Sequence, residues 1–591
     1  MPNPIKSETM YPYPAPAMKP SFRTVLLSFC WRLETTKTGA TRGITITNSM
    51  APRRICSLNG PVPTGFAVQV IPASVVKKTT NIATTELINT YDLNTKERLF
   101  LAAYLYVPIK PDFFPTISVI YLSSTPNYII YFHFRHLLMA SEVASPRTKA
   151  DLSTSVTEEY MRIDIGNSLD TVASPGMSSD TLDSLDHQVD AIHTTIGPKI
   201  HDNSFGYAAL NLLSPEETKQ LLDFTEHFSD FSNVLTIGIG GSALGSATLS
   251  TSLGLSGHYV LDNIDPSANL NILTNIDFTD TVVNIVSLSG STIETISNFL
   301  VVRDHMNKQN IDWTSQTFVT TSGTGTLYNL SNKYNLPRLP FPESIPGRFS
   351  ALSSVSLAPI AILGGPVEEI LKGAQNGFDS LSPSIYNSPP YAYGAITSEL
   401  FNLGITSNSI MPYSEHLETF AEWFAQLWSE SLGKDGIGQI PLRAMGATDQ
   451  HSQLQLYRAG KRNLMVTFID VVDHKTELNI PPPEFEDFDY LSNLPLETLL
   501  RTELQTTEAS LAEAGCPSIR IELDQLNPYS IGELLHGCMA SCILFAELQG
   551  INGFDQPAVE WGKQALKDIL TGKTSSESSS TQNKNSHWIK K

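Results

Sequence analysis

Short apolar runs that alternate with helical stretches constrain the fold of this chain more than any other feature of its sequence. The alternation begins near Phe231 and continues almost to the end of the chain. Strands that alternate with helices form a parallel sheet through βαβ connections. We predict strands over residues 234–239, 259–261, 282–286, 317–320, 464–468 and 519–521, and helices over residues 416–431, 496–514 and 530–549.

Glycine and proline clusters divide this pattern into two parts. The run Gly364-Gly365-Pro366 and the Ser- and Pro-rich residues 382–390 interrupt the alternation, as such clusters do between regular elements. A chain of 591 residues is also longer than one ordinary domain. We therefore predict two α/β domains, over residues 205–380 and 385–570, each with a parallel sheet flanked by helices.

The two ends of the chain differ from this α/β body. Residues 1–138 contain fourteen Lys or Arg and six Asp or Glu, although the whole chain has a net charge of −20. A basic leader suggests an organelle transit segment; the alternative is a non-native leader, with translation starting at Met139. We interpret residues 139–204 as a polar, loosely structured lead-in with a short helical pattern around residues 185–192, and residues 571–591 as a disordered tail.

Composition also restricts the partners of the chain. Its acidity opposes binding to a phosphate backbone, so we predict no nucleic-acid partner. The apolar run 117–134 includes Pro126 and Asn127, which disfavours a membrane span. Five cysteines at low density imply no disulfide framework, and we interpret Cys538 and Cys542 as core thiols rather than metal ligands.

The first motif with chemical meaning is the glycine-rich run 238–245, Gly-Ile-Gly-Gly-Ser-Ala-Leu-Gly. It lies between a predicted strand and a helix, where backbone N–H groups and the helix N-terminus favour an anion. The run also fits a dinucleotide fingerprint that ends in Ala243, and Asp262 stands where a ribose ligand is expected. On this motif alone, a nucleotide-dependent oxidoreductase remains an alternative.

The second motif is a hydroxyl-rich run at 287–295, Ser-Leu-Ser-Gly-Ser-Thr-Ile-Glu-Thr. Ser or Thr followed by Glu is typical of a helix N-cap, but a cap needs one hydroxyl and this run has five. Hydroxyls donate to phosphate oxygens without adding charge, and the start of the next helix supplies free N–H groups. We predict a phosphate site formed by Ser287, Ser289, Ser291, Thr292 and Thr295.

These two runs resemble the sugar-isomerase domain family and, taken together, the glucose-6-phosphate isomerase family in particular. The resemblance implies two sugar-isomerase-type domains, each a flavodoxin-like three-layer sandwich. It implies that the five hydroxyls hold a 6-phosphate and that Gly241 and Ser242 line the sugar. Many members carry Lys where this chain has Leu288, so we expect weaker charge stabilisation of the phosphate.

A third segment, residues 343–353, fits one of the two long signatures of that family. Without the resemblance, its arginine would be interpreted as a surface residue. The resemblance implies that Arg348 stabilises an enediolate. A guanidinium suits a developing oxyanion because it stays charged and donates two bonds.

The fourth segment is the predicted helix 417–432 and the Gly-Lys that follows it. Gln426 and Glu430 lie four residues apart on one polar stripe, which is usually a solvated face. However, residues 430–434 match the Glu-Ser-x-Gly-Lys of the family. The resemblance therefore implies that Glu430 is the catalytic base and that Gln426 contacts the sugar.

Two later segments complete the resemblance. Residues 446–454 contain His451, which matches the histidine that assists ring opening in the site of the neighbouring subunit, and this implies a homodimer. Residues 552–563 fit the second long signature. They imply that Gln556 assists phosphate binding and that Lys563 contacts the ring oxygen and O1.

The sequence thus predicts an enzyme of glycolysis and gluconeogenesis that interconverts D-glucose 6-phosphate and D-fructose 6-phosphate through a cis-enediolate. No metal or other cofactor is expected, because the adjacent carbonyl and the placed cation supply the acidity. The expected location is the cytoplasm, or a plastid or mitochondrion if residues 1–138 are a transit segment. A non-catalytic sugar-phosphate sensor is the rival from another class; it would be expected to lack Glu430 or His451.

Overall fold

The computed structural model describes residues 161–573 with their side chains and, before them, the backbone of seven strands between residues 31 and 135. The chain divides into two compact units, residues 1–153 and 154–591. Most of the predicted leader, and residues 574–591 of the predicted tail, lie outside the described residues.

The strands of the first unit form two antiparallel sheets, in the orders β1-β2-β3 and β4-β7-β6-β5. The described residues of the apolar run 117–134, which we considered as a membrane span, lie in the adjacent strands β6 and β7. Their bounds are β1 (Trp31–Thr38), β2 (Thr41–Asn48), β3 (Ile55–Cys56), β4 (Phe66–Pro72), β5 (Leu101–Leu105), β6 (Thr116–Leu122) and β7 (Tyr128–Arg135).

The second unit contains two further sheets and the helices that cover them. Its strands are β8 (Arg162–Asp164), β9 (Asn233–Ile237), β10 (His258–Leu261), β11 (Thr281–Ser287), β12 (Thr317–Thr321), β13 (Arg338–Pro340), β14 (Ser407–Pro412), β15 (Ile440–Arg443), β16 (Leu464–Asp473) and β17 (Ser518–Gln525). Its helices are α1 (Ser179–His201), α2 (Pro215–Glu226), α3 (Leu244–Ser252), α4 (Pro266–Asn275), α5 (Ile293–Lys308), α6 (Gly325–Tyr334), α7 (Ser354–Ile362), α8 (Val367–Asp379), α9 (Pro389–Asn402), α10 (Glu418–Leu432), α11 (Leu454–Ala459), α12 (Leu496–Glu513), α13 (Pro528–Gln549) and α14 (Glu560–Leu570).

The first of these sheets is wholly parallel, in the order β10-β9-β11-β12-β13. All seven residues of β11 are buried, as expected for a strand covered on both faces. The chain turns to opposite sides of β9, so β9 and its neighbour β11 flank a switch point, where α/β sheets bind ligands. This topology places the glycine-rich run after β9 beside the hydroxyl-rich run after β11.

The second sheet has the order β15-β14-β16-β17-β8. Its first four strands are parallel, which confirms the predicted α/β class, but β8 is antiparallel to β17. The predicted parallel sheet thus carries one antiparallel strand at this edge. The backbone N–H of Met161 donates to Glu533 Oε2 at 3.0 Å and anchors the start of β8.

The predicted loose lead-in also needs correction, since it contributes β8 and the 23-residue helix α1. Ser178 caps α1 by accepting from the backbone N–H of Thr181. Five apolar residues of α1 are buried and recur at helical spacing along one face of the helix. They are Leu182, Leu185, Val189, Ile196 and Ile200. The segment is polar in overall composition because the residues between them are mostly polar.

Helix α13 lies at the centre of the second unit, and seventeen of its residues are buried. It is the one helix among the described residues that is long and apolar enough to cross a membrane, and 89% of its apolar window is buried inside the protein. Cys538 and Cys542 are free buried thiols within it. The helix packs against α8, which precedes the predicted domain boundary; that boundary stays a prediction.

The contact between α8 and α13 depends on glycine. A β-carbon built at Gly373 would lie 1.7 Å from the carbonyl oxygen of Tyr529, and one built at Gly532 would lie 2.0 Å from that of Ile370. Neither position has room for a methyl group, so the two helices meet backbone to backbone.

We expect Gly532→Ala to lower the free energy of unfolding by about 1–3 kcal/mol, because the added methyl group forces the helices apart. Gly197→Ala is the matched control, since a β-carbon there meets nothing within 4 Å and alanine favours a helix by roughly 0.5–1 kcal/mol. Urea unfolding of the two variants measures both effects. Equal stability of the two would contradict the close helix contact.

Candidate active site

The glycine-rich loop after β9 touches the segment that carries Arg348. A β-carbon at Gly241 would lie 2.1 Å from the carbonyl carbon of Gly347, so only glycine permits this approach. Ser350 Oγ lies 3.1 Å from the carbonyl oxygen of Gly241 and 2.8 Å from that of Gly347, and donates to this pair. Ser242 closes the short 3₁₀ turn that precedes α3.

Helix α10 approaches the same loop from the second sheet. Gly240 has a positive φ of 59°, and a β-carbon there would lie 2.7 Å from Gln426 Nε2. That amide nitrogen also donates to Glu430 Oε2 at 3.0 Å, so one side chain links the loop to the predicted base. Gln426 Oε1 is buried without a partner among the described residues.

The buried guanidinium of Arg348 is the centre of the candidate site. Its side chain is 1% exposed, and all three of its nitrogens have partners. Nε donates to Ser431 Oγ (2.7 Å), Nη1 donates to Gln556 Oε1 (3.0 Å) and lies 3.3 Å from Glu430 Oε1, and Nη2 donates to the carbonyl oxygens of Gly553 (2.7 Å) and Asp555 (3.2 Å). Burial lowers the pKa of Arg348 and Glu430 opposes this shift; an arginine stays charged under both influences.

Glu430 lies at the edge of this cluster with its side chain 27% exposed. One carboxylate oxygen is near Arg348 and the other accepts from Gln426. The carboxylate is thus oriented by two side chains and remains accessible from solvent. This arrangement suits a base that must reach a bound substrate.

Lys434, which was not among the predicted site residues, stabilises the end of α10. Its Nζ donates to the carbonyl oxygens of Glu430 (3.2 Å) and Ser431 (2.5 Å) and lies 3.6 Å from Asp555 Oδ1. Burial lowers the pKa of Lys434, and the nearby Arg348 contributes to this shift. A positive charge at this position stabilises the negative, C-terminal end of the helix dipole, where Glu430 also lies.

The C-terminal loop that contacts Arg348 is held by an aromatic residue. The ring centroid of Phe554 lies 5.7 Å from that of Phe349 and 4.8 Å from that of Tyr207. A β-carbon at Gly206 would collide with the Phe554 ring at 2.2 Å. This packing fixes the backbone on either side of Phe554, and therefore places Gln556 beside Arg348.

The hydroxyl-rich loop connects β11 to α5. Thr292 is the N-cap residue of α5, yet its side chain makes no capping bond; its Oγ1 lies 2.8 Å from Ser287 Oγ. Ser289 Oγ accepts from the backbone N–H of Ser291 at 3.3 Å and lies 3.4 Å from the Ser291 hydroxyl. The buried Thr295 Oγ1 has no partner among the described residues. Capping therefore does not explain these hydroxyls.

His451 and Lys563 lie apart from this cluster. His451 ends the 3₁₀ turn Thr448–His451 and is exposed. Lys563 Nζ donates to Glu560 Oε1 at 2.7 Å within α14, and its side chain is 64% exposed. Neither residue contacts Arg348 or Glu430 within residues 161–573.

The same described residues contain no group of three or more His, Cys, Asp or Glu side chains that could hold a metal ion.

Comparison with known proteins agrees with this geometry. The phosphoglucose isomerase family model matches residues 224–587. The chain belongs to the phosphoglucose isomerase family. It is therefore an aldose–ketose isomerase of glucose 6-phosphate and fructose 6-phosphate, and the oxidoreductase alternative is not supported.

Two relatives illustrate the extent of the match. The chain is 49% identical over 412 residues to a probable glucose-6-phosphate isomerase of Natronomonas pharaonis, which covers 70% of this chain and 96% of the relative. It is 34% identical over 348 residues to a glucose-6-phosphate isomerase of Methanocaldococcus jannaschii, which covers 58% of this chain and 85% of the relative.

Solved structures show the same fold. A hypothetical protein of Thermus thermophilus aligns with a TM-score of 0.63 and 30% identity, covering 70% of this chain and all of that protein. A glucose-6-phosphate isomerase of Chlamydia trachomatis aligns with a TM-score of 0.55 and 25% identity, covering 60% of this chain and 74% of that protein. The predicted α/β fold is confirmed by these neighbours.

We expect Arg348→Lys to lower kcat by about 10²–10³-fold, because an ammonium group cannot reproduce the five contacts of the guanidinium or donate two bonds to an oxyanion. Arg443→Lys is the control, since Arg443 pairs with Glu422 at an exposed site. A coupled assay of glucose 6-phosphate formation measures both variants, with circular dichroism to verify folding. Near-normal kcat in folded Arg348→Lys would contradict its central role.

Proposed function

We propose that Glu430 and Arg348 carry the isomerisation as base and electrostatic stabiliser. In the direction from aldose to ketose, Glu430 takes the proton from C2, the C1 carbonyl becomes part of a cis-enediolate, and the same proton is returned to C1. The hydroxyl proton of O2 moves to O1. The observation that carries the proposal is the contact of 3.3 Å between Arg348 Nη1 and Glu430 Oε1, since a fixed positive charge beside the proposed base would stabilise the negative charge that develops on a substrate bound there.

The hydroxyl-rich loop is the proposed phosphate site. Its five hydroxyls lie at the start of α5, where helix N–H groups favour an anion. The unpartnered Thr295 Oγ1 provides a buried donor. Leu288 packs with Val286, Phe341 and Val355, so this position contributes to the core and supplies no charge to the phosphate.

The proposed position of the sugar is between the hydroxyl-rich loop and α10. Gly241 and Ser242 line one side, and Gln426 faces them across the contact with Gly240. The unpartnered Gln426 Oε1 can accept from a sugar hydroxyl. Gln556 accepts a hydrogen bond from Arg348, and its proposed role is to assist phosphate binding.

Ring opening is assigned to His451 and Lys563. One proton is added to the ring oxygen and another leaves the O1 hydroxyl as the bond from C1 to the ring oxygen breaks. The exposure of His451 supports a role in the site of a second subunit, and hence a homodimer. The proposed setting is the cytoplasm, where the enzyme would act in glycolysis and gluconeogenesis.

Replacement of the base gives the direct test. We expect Glu430→Gln to lower kcat by about 10²–10⁴-fold, the range of general base catalysis, while sugar-phosphate binding measured by calorimetry persists. Glu422→Gln, eight residues earlier on the same helix and exposed, should retain turnover. Loss of activity in both variants, or in neither, would sink the assignment of Glu430.

Mixing two variants of strongly reduced activity tests the homodimer. His451→Ala and Glu430→Gln dimers that exchange subunits should recover about a quarter of wild-type activity, since half of the dimers are mixed and each has one intact site. Recovery is expected only if His451 acts in the partner's site. If the mixture stays inactive although subunit exchange is demonstrated, His451 acts within its own subunit.

A further inference from the structure

A glutamine whose side chain makes three hydrogen bonds precedes His451. Gln450 Oε1 accepts from Tyr413 Oη at 2.7 Å and from Thr507 Oγ1 at 3.0 Å, and its Nε2 donates to Glu503 Oε2 at 3.0 Å. Tyr413 follows β14, and the other two partners lie on α12. One side chain thus joins the loop to two rigid elements of the second sheet layer.

The same loop has further anchors. The backbone N–H of Gly446 donates to the carbonyl oxygen of Pro412 at 3.0 Å, and a β-carbon at Gly446 would lie 2.3 Å from the ring of Tyr413. Asp449 Oδ2 accepts from the backbone N–H of Met445 at 2.8 Å, and Asp449 Oδ1 accepts from Ser452 Oγ at 2.7 Å. The backbone is therefore held on both sides of Gln450.

The ring of His451 takes no part in this network of hydrogen bonds. No hydrogen bond or ion pair to its ring is found in the described part of the chain, and the residue is exposed. A surface histidine with a mobile backbone would be a poor proton donor, because a displacement of 1 Å can cost about a hundredfold in rate. The network instead fixes the backbone from which the imidazole projects.

From this arrangement we infer that Gln450 is a positioning residue for the proton transfer by His451. Its three hydrogen bonds set the direction of the next residue in the chain, whereas the glutamine itself stays away from the substrate. The inference rests on the proposed function, since it assumes the role of His451 in ring opening. The inference also gives a role to the three residues that hold the Gln450 side chain, none of which was among the predicted site residues: Tyr413, Glu503 and Thr507.

A purely structural role for Gln450 is the competing explanation, and a double-mutant cycle separates the two. Gln450→Met keeps the volume and removes all three hydrogen bonds. We expect it to lower kcat by about 10–100-fold with little change in KM. In a His451→Ala background the same change should lower kcat by less than about twofold, because the positioned group is gone.

Three further variants serve as controls. Gln455→Met changes an exposed residue of α11 and should retain kcat. Tyr413→Phe removes one hydrogen bond and keeps the ring, so it should show a smaller loss and covers the case in which Gln450→Met does not fold. Glu503→Gln keeps an acceptor for Gln450 Nε2 and should preserve most of the activity.

The outcomes distinguish the two hypotheses. Loss of kcat that disappears in the His451→Ala background, with equal shifts of melting temperature in both backgrounds, supports positioning. Equal losses of kcat in both backgrounds, or no loss, overturns it while the proposed function stands. If His451→Ala alone keeps wild-type turnover, the role of His451 in the proposed function fails, and the inference fails with it.

Discussion

The buried guanidinium of Arg348 is the interaction on which the site depends. It contacts Ser431 and Glu430 on α10 and three residues of the C-terminal loop, from Gly553 to Gln556. These groups are separated by more than 80 residues from Arg348 in the chain. A buried charge is costly unless its hydrogen bonds are satisfied, and this requirement forces the three segments into one arrangement.

Close backbone approach makes that arrangement possible. The loop after β9 lies against Gly347 because Gly241 has no side chain, and α10 reaches the loop because Gly240 leaves space for Gln426. The first sheet thereby supplies the glycine-rich and hydroxyl-rich loops, and the second sheet layer supplies the base. Glycines in these positions leave room for a backbone in one case and for a side chain in the other, which explains them better than a nucleotide fingerprint does.

The sequence predicted the α/β class and most strands near the first loops, because buried parallel strands give continuous apolar runs. It missed β13, β14 and β15, which are short or rich in polar residues, it missed β8, and it indicated only the middle of α1. The cluster of predicted site residues contains Arg348, Glu430, Gln426 and Gln556, and their roles stay predictions. Lys434 ends the Glu-Ser-x-Gly-Lys motif, but its role at the end of α10 was not predicted, because that role depends on contacts that only the fold creates.

The strong negative charge of the chain bears on the chemistry of the proposed phosphate site. A dianionic substrate approaches a protein of net charge −20, so long-range attraction is absent and binding must rely on local donors. Hydroxyls and helix N–H groups can supply them without a cation, which is why Leu288 can pack into the core at this position. Under the proposed mechanism, Arg348 beside Glu430, with Lys434 behind it, supplies positive charge where the reaction develops negative charge. In this proposal, hydroxyls and helix N–H groups bind the substrate phosphate, whereas the charge of Arg348 stabilises the enediolate, so the two tasks rest on different physical interactions.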